Sequence, residues 1–309
     1  MDAASALAAA PESPQFFDGF AEKTFQARDG EIFYRMAGNG PPLVLLHGYP
    51  QTSAMWHAVA PVLAQDYTVI CPDLRGYGRS FKPAPHSSHA PHSKRAMADD
   101  VVQLMDHLGF DRFLIGSHDR GARVAHRLAA DHPTRVIALS TLDIAPTREM
   151  YREGSSAFAH AYWHWYWLTL PAPFPERLIG ADADYFWLKK CGDGSAGLKP
   201  FVRQAMQEYM DCFRSPAAIE ATCEDYRAAA SIDIEIDNAD PHKLTMPLLA
   251  LWGKDGVIEA QFDALALWRE RAEDVRGGPL PGGHYLAEEH PQSVLDAWLP
   301  FFKEQQAQE

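Results

Sequence analysis

The sequence has no apolar run long enough to cross a membrane. Of its 309 residues 47% are hydrophobic, yet polar residues interrupt every apolar stretch well before the roughly 18 residues that a membrane-spanning helix needs. Internal repeats and low-complexity segments are also missing. With 22% charged residues the composition is that of a globular protein, which argues against disorder, collagen and coiled coil. The length predicts one large soluble domain, or a core with an inserted subdomain.

Cysteine is scarce, and no two cysteines have the CxxC spacing. Widely separated cysteines favour reduced thiols in a cytoplasmic protein over a disulfide or zinc framework. Histidine offers no better metal site, because His86, His89 and His92 lie among serine and proline residues that impose no rigid geometry. We therefore expect no metal, and we interpret this segment as a solvated loop.

Basic residues are outnumbered. The 28 lysines and arginines against 41 aspartates and glutamates give a net charge of −13 with neutral histidines. This charge repels phosphate backbones and anionic lipid, so we expect neither a nucleic-acid nor a membrane partner. A small anionic ligand is not excluded, because a few arginines in a pocket outweigh a distant, salt-screened field.

Two sequence periods follow one another along the chain. Alternating polarity at 24–27 and 32–35 predicts two antiparallel strands. Short apolar runs, which predict strands buried on both faces, occur at 43–46, 69–71, 113–115, 136–139 and 248–251. Helical patterns at 93–108 and 123–131 lie between them. Strands that alternate with helices predict an α/β fold, with a mostly parallel twisted sheet, helices on both faces and a ligand site beyond the carboxyl ends of the strands.

The alternation stops for about a hundred residues. From 145 to 244 the pattern is helical, aromatic-rich and punctuated by prolines, which predicts a helical cap, or lid, inserted into an α/β core of residues 21–144 and 245–304. Residues 1–20 show no sustained period. We expect an irregular amino-terminal tail there, because Met1-Asp2 lacks the positive start of a signal peptide. Residues 305–309 form a second short tail.

The segment with most chemical content is a strand followed by small residues and a helix. Asp119 stands at the centre of Gly116-Ser-His-Asp-Arg-Gly121, which has the form of a nucleophile elbow. The small residues two places before and two places after the centre are needed because the turn is tight. An alternative reading is that Asp119 only caps the helix that follows.

Groups that could complete a catalytic site follow other strands. Tyr49 belongs to a His-Gly-Tyr-Pro segment (47–50) after a buried strand, where an oxyanion loop is expected, and His284 follows the last strand. Asp143 and Asp255 each follow a strand, so both are candidates for the acid that orients His284. The order nucleophile, acid, histidine is that of the α/β-hydrolase fold.

An aspartate nucleophile determines the reaction class. It forms an ester with an alkyl carbon, so its target carries a leaving group on saturated carbon or is an epoxide. His284 then takes a proton from the water that hydrolyses the ester, and the backbone N–H groups of Tyr49 and Arg120 receive the oxyanion on Asp119. The side chains of Arg120 and Arg123, about one helical turn apart, suit the carboxylate of a small acid. No cofactor or metal is needed.

These motifs resemble the α/β-hydrolase superfamily and, more closely, the fluoroacetate dehalogenases. The superfamily signals are residues 47–50 and the Asp-Leu-Arg-Gly-Tyr-Gly-Arg-Ser segment 73–80. The more specific pieces are His-Asp-Arg-Gly-Ala-Arg (118–123) and Tyr-Trp-His-Trp (162–165). Cys-Glu-Asp-Tyr-Arg at 223–227 and Gly-His at 283–284 match as well, so the resemblance spans about residues 20 to 300.

The resemblance implies hydrolysis of fluoroacetate to glycolate and fluoride. It implies that Asp143 is the acid beside His284, which leaves Asp255 as a turn or capping residue. The donors that it implies for the departing fluoride are His164, Trp165 and Tyr226. An aromatic run such as 162–167 also suits the core of a lid. The resemblance further implies a homodimer.

Two other functions are open. An epoxide hydrolase shares the aspartate nucleophile and needs lid tyrosines to protonate the opening oxygen, a role for Tyr226, although two arginines beside the nucleophile suit a neutral epoxide poorly. A catalytically silent binding protein of the α/β-hydrolase fold would not need nucleophile, acid, histidine and oxyanion loop together.

Overall fold

The computed structural model describes residues 2–194 and 196–307, which form an eight-stranded sheet and the helices around it. The strands are β1 Ala21–Gln26, β2 Glu31–Ala37, β3 Pro42–Leu46, β4 Thr68–Pro72, β5 Phe113–His118, β6 Val136–Leu142, β7 Leu248–Gly253 and β8 Val275–Leu280. Their order in the sheet is β1-β2-β4-β3-β5-β6-β7-β8. Strand β2 pairs antiparallel with β1 and β4, and all other neighbours are parallel. The predicted α/β fold is confirmed.

Helices connect the strands. Those of the amino-terminal half are α1 Ala3–Ala9, α2 Ala60–Leu63, α3 Lys94–His107 and α4 Asp119–Asp131, with short 3₁₀ helices at Ser53–Trp56 and Ala90–His92. Between β6 and β7 lie α5 Thr147–Glu153, α6 Ser156–Ala161, α7 His164–Trp167, α8 Phe174–Ala181, α9 Ala183–Gly192, α10 Arg203–Phe213, α11 Pro216–Ala229 and α12 Ile232–Ala239. The last helices are α13 Val257–Gln261, α14 Ala264–Arg271, α15 Leu286–Glu289 and α16 Pro291–Gln306.

The middle strands explain where the site lies. The apolar residues of β3 and β5, among them Leu43 to Leu46 and Phe113 to Ile115, are fully buried, as parallel strands covered on both faces require. The register pairs Leu46 with Ser117 and Ser117 with Thr141, so β3, β5 and β6 end side by side. The loops that follow them therefore meet at one edge of the sheet.

Helices α5 to α12, which we call the cap, contact the core next to the loop that follows β3. Glu208 of α10 accepts hydrogen bonds of 2.6 Å from Arg35 Nη2 and from Thr52 Oγ1. Trp187 of α9 donates its indole N–H to the carbonyl of Pro50 over 3.0 Å. These buried polar contacts fix the cap on the oxyanion-loop side of the site.

Two expectations about local structure are wrong. The amino-terminal tail contains a helix, α1, in which Asp2 accepts a hydrogen bond from the Ser5 N–H and which packs against the cap; Arg203 donates to the Leu7 carbonyl over 3.0 Å. In the histidine-rich loop residues 86–88 are exposed, but of the three histidines only His86 is among them. There His89 contacts Glu224 of α11 at 2.7 Å, and His92 is fully buried. In both cases contacts with distant parts of the chain order a segment that has no period of its own.

The structure also bears on membranes and metals. Within residues 2–194 and 196–307, no helix combines the length and the apolar character that a membrane crossing requires. In the same residues, no three His, Cys, Asp or Glu side chains are grouped so that they could hold a metal ion. The four cysteines are free thiols.

Candidate active site

Asp119 occupies the sharp turn between β5 and α4. Its φ is +46°, a left-handed conformation that costs energy in a residue with a side chain and that is typical of functional turns. The turn requires a glycine at 121, because a Cβ there would lie 2.3 Å from the carbonyl oxygens of Leu46 and His47. At Gly48 a Cβ would lie 2.5 Å from the Cβ of Asp119. Both glycines let the oxyanion loop approach the aspartate.

The Asp119 carboxylate is held in a defined orientation. The backbone N–H of Tyr49 donates to Oδ1 over 2.9 Å, and Nε2 of His284 lies 3.9 Å from Oδ2. Burial alone would raise the pKa of Asp119, but His284 and the two neighbouring arginines lower it to about 2. The carboxylate is therefore ionised at neutral pH.

His284 contacts Asp143, the first residue after β6. Its Nδ1 lies 2.6 Å from Asp143 Oδ2, and the other oxygen of Asp143 accepts the Gly253 N–H over 3.0 Å. Asp143 also has a positive φ, of +52°. In the described part of the chain, no hydrogen bond or ion pair joins His284 to Asp255, which lies exposed at the rim of a cavity. The geometry thus favours Asp143 as the orienting acid.

Two further residues support His284. The hydroxyl of Tyr162 lies 3.2 Å from its Nδ1 and 3.5 Å from Asp143 Oδ2. His118 Nε2 lies 2.8 Å from the backbone carbonyl of His284, an acceptor, so this nitrogen carries the proton of the neutral ring. Burial and the charge of His284 lower the pKa of His118 to about 3, which keeps it neutral.

Arg120 is fully buried and paired. Its Nε and Nη2 donate to the two carboxylate oxygens of Asp225 over 2.8 and 2.7 Å. Asp225 also contacts Lys94 Nζ and the Tyr77 hydroxyl, so its charge is shared between two cations. The Nη1 group of Arg120 has no hydrogen-bond partner among the described residues. The ion pair with Asp225 fixes the plane of the Arg120 guanidinium and leaves the Nη1 edge available to a ligand.

Arg123 is buried one helical turn further along α4. Its Nη1 donates to the Thr147 hydroxyl over 2.9 Å and to the Ala145 carbonyl over 3.2 Å, and its Nε has no partner in the described chain. Burial, followed by the charge of Arg120, lowers the pKa of Arg123 to about 10. Arg123 is still a cation at neutral pH, and no carboxylate within ion-pair distance is described for it.

The predicted halide donors lie beside these arginines. The guanidinium carbon of Arg120 is 4.1 Å from the centre of the Tyr226 ring, and that of Arg123 is 4.6 Å from the Trp165 ring. The His164 ring lies 5.7 Å from the Tyr226 ring. Three buried donors without a partner among the described residues face this region, His164 Nδ1, Trp165 Nε1 and the Tyr226 hydroxyl. Buried polar groups without partners are rare, and a cluster of donors is suited to an anion.

A cavity of about 700 Å³ borders this cluster at His164. It opens between the cap and the loops that follow β7 and β8, and its lining includes His164, His284 and Lys190. Asp119 is only 5% exposed and lies further in. The cavity therefore adjoins the site on the side of His284 and the cap.

Sequence reasoning missed two residues of the site. The segment Cys223-Glu-Asp-Tyr-Arg227 was assigned to the family resemblance, but no role was predicted for Asp225, the partner of Arg120. Tyr162 was likewise part of a matching segment, but its contact with His284 was not predicted. A signal existed for Asp225, because two buried arginines close together need a compensating carboxylate. Which carboxylate supplies it depends on the position of α11, which the sequence does not reveal.

Comparison with known proteins agrees with the geometry. The model of the α/β hydrolase fold family matches residues 41–187. A fluoroacetate dehalogenase from Burkholderia sp is 45% identical over 281 residues, which cover 90% of this chain and 92% of the relative. A soluble epoxide hydrolase from Corynebacterium sp. (strain C12) is 35% identical over 277 residues, covering 88% of this chain and 93% of the relative.

A solved structure is similar over the same span. The crystal structure of a candidate α/β hydrolase from Nostoc sp PCC 7120 has 50% identity and a TM-score of 0.87, covering 91% of this chain and 97% of that chain. The eight-stranded sheet and its helices agree with these similarities. The chain is therefore a hydrolase of the α/β-hydrolase superfamily, and within it resembles the fluoroacetate dehalogenases.

Proposed function

We propose that this protein hydrolyses fluoroacetate to glycolate and fluoride. The observation that carries the proposal is the group of buried donors without partners beside an ionised carboxylate nucleophile. Arg120 Nη1 and Arg123 Nε, which have no partner among the described residues, would receive the substrate carboxylate, and the cap donors would receive the halide. A neutral substrate would leave the arginine edges unpaired, which is costly for buried charged groups.

In the first step Asp119 Oδ2 attacks the carbon that bears fluorine. The C–F bond breaks as the C–O bond forms, and fluoride leaves with the bonding electrons. Fluoride is a poor leaving group unless strong donors meet its developing charge, so the N–H and O–H groups of His164, Trp165 and Tyr226 act where that charge appears. The product of this step is an ester between Asp119 and the substrate.

In the second step water hydrolyses the ester. His284 Nε2 takes a proton from the water, whose oxygen attacks the Asp119 carbonyl carbon, and Asp143 stabilises the imidazolium. Oδ1 already accepts the Tyr49 N–H. The negative charge that develops on Oδ1 is therefore stabilised by this N–H and by the N–H of Arg120. Collapse returns the proton to the leaving oxygen and frees glycolate.

One observation favours a second function, epoxide hydrolysis. The Tyr226 hydroxyl is buried without a partner among the described residues and could donate its proton to an opening epoxide. The epoxide hydrolase from Corynebacterium sp. is the relative that supports this alternative.

Fluoride release from fluoroacetate, followed with a fluoride electrode, tests the proposal against hydrolysis of styrene oxide by the same preparation. We expect fluoride release, and no diol from styrene oxide. In His284→Asn the ester should accumulate, so the intact protein should gain the mass of a carboxymethyl group. Diol formation without fluoride release would favour the epoxide hydrolase, and binding of fluoroacetate without turnover would favour a silent binding protein.

A further inference from the structure

The cavity beside His284 has an uneven set of charges. Four side chains of fixed charge line it, Lys189, Lys190, Asp193 and Asp255. Lys189 and Asp193 neutralise each other across 2.7 Å, and Asp255 is exposed at the rim, where water screens it. Lys190 is partly buried, and no hydrogen bond or ion pair is described for it.

The ammonium group of Lys190 points inward. Its Nζ lies 5.8 Å from the centre of the Tyr49 ring, a distance typical of a cation–π contact, and Tyr49 is the residue whose N–H holds Asp119. The Tyr49 ring in turn lies 6.0 Å from the ring of His164, a predicted halide donor that lines the same cavity as Lys190. Lys190 thus lines the cavity and contacts Tyr49, whose ring lies 5.3 Å from the Tyr226 ring of the inner cluster.

An anionic substrate has an electrostatic difficulty with this protein. The chain carries a net charge of −13, and the nucleophile is itself an anion. Of the two inner arginines, Arg120 is already paired with Asp225. A cation on the way in would raise the local concentration of an anion and lower that of competing cations.

We propose that Lys190 is a specificity-determining residue that attracts small carboxylates into the cavity and passes them to Arg120 and Arg123. This inference rests on the proposed function, because it assumes that the substrate is an anion. The role is in capture, so it affects kcat/KM and the affinity for carboxylates, and it leaves the chemical steps on Asp119 unchanged.

The test compares Lys190→Gln with Lys189→Gln, since the two lysines are adjacent and line the same cavity but differ in pairing. At low ionic strength Lys190→Gln should lower kcat/KM for fluoroacetate by about three- to tenfold with kcat within about twofold, and the loss should shrink towards about 0.3 M salt. Lys189→Gln should lose less than about twofold, because the Asp193 charge that it leaves is exposed and screened by water, and Lys190→Arg should restore most of the loss of Lys190→Gln.

Acetate binding, measured by calorimetry, separates this inference from the proposed function. Lys190→Gln should bind acetate about three- to tenfold more weakly than the wild type at low salt, whereas Lys189→Gln should not. If the wild type releases no fluoride, the proposed function fails, and the acetate affinities still decide the role of Lys190. Equal affinities in the wild type and Lys190→Gln, or a loss in kcat that salt does not change, would overturn the inference.

Discussion

At the scale of single residues, the two arginines near Asp119 differ in what their removal leaves behind. Arg120→Leu would leave the buried Asp225 with only Lys94 and Tyr77 as partners, whereas Arg123→Gln breaks no ion pair. Both variants should lose affinity for haloacids, seen as a KM at least tenfold higher. Arg120→Leu should in addition lower the free energy of unfolding by about 3 kcal/mol, against about 1 kcal/mol for Arg123→Gln.

Steady-state kinetics and urea unfolding of the two variants check this difference. A KM for haloacids that neither substitution changes would mean that the arginines do not bind the substrate. Equal unfolding free energies would mean that the contact of Arg120 with Asp225 contributes little to stability.

The residues of the site differ in how far the sequence predicts them. Motifs predict Asp119, His284 and Tyr49. For Asp119 the motif is clear because a tight turn requires small residues on both sides, and these are present in the sequence. Asp225 does not follow from a motif, since it meets Arg120 across 105 positions of sequence. The residues alone do not decide whether Asp143 or Asp255 orients His284, because both follow a strand. The structure distinguishes them by the 2.6 Å contact between Asp143 and His284.

At the scale of elements, the turn between β5 and α4 depends on Gly121. A Cβ at this position would lie 2.3 Å from two carbonyl oxygens of the loop that follows β3, so Gly121→Ala must push the Tyr49 N–H away from Asp119. We expect kcat to fall by about 100-fold, because a displacement of about 1 Å in a reacting group has such effects.

Gly180→Ala is the matched control. Gly180 lies in α8 and a Cβ there would meet nothing within 4 Å, so this variant should keep its activity and gain about 0.5 to 1 kcal/mol in stability. Turnover measurements and thermal melting of both variants test the argument. Wild-type turnover by Gly121→Ala would show that the elbow tolerates a side chain and that the Tyr49 contact is dispensable.

Elements with a clear period are predicted well and the others are not. The apolar runs at 43–46 and 113–115 lie in β3 and β5. A strand buried on both faces needs apolar side chains at successive positions, so a continuous apolar run predicts it. Strand β8 was not predicted, since Gly277, Gly278 and Pro279 disfavour a strand by themselves. It forms because its register against β7 supplies the hydrogen bonds.

At the scale of the whole molecule, the amino-terminal segment links the cap to the core. Ala6 and Ala10 are buried, Arg203 of the cap donates to the Leu7 carbonyl, and the Phe17 ring lies 4.7 Å from the guanidinium of Arg35 in the core. Deletion of residues 2–19 should therefore expose apolar surface on both parts. The buried Phe17 side chain alone is worth about 2 kcal/mol.

We expect the deletion to lower the melting temperature by about 5 °C while kcat for the preferred substrate stays within about twofold. Scanning calorimetry measures the first effect. Arg203→Ala in the full chain, which removes only the cap side of the link, should give a smaller decrease in the same direction. An unchanged melting temperature in the deleted protein would show that the segment does not stabilise the molecule.

The central claim is that the Asp119 carboxylate forms a covalent ester with the substrate. A single turnover of fluoroacetate by excess enzyme in ¹⁸O-labelled water tests it most directly, with mass spectrometry of both the glycolate and the peptide that contains Asp119. Because water attacks the ester carbonyl, we expect label in Asp119 and unlabelled glycolate. Label in glycolate with none in Asp119 would mean that water attacks the substrate directly and that no ester forms.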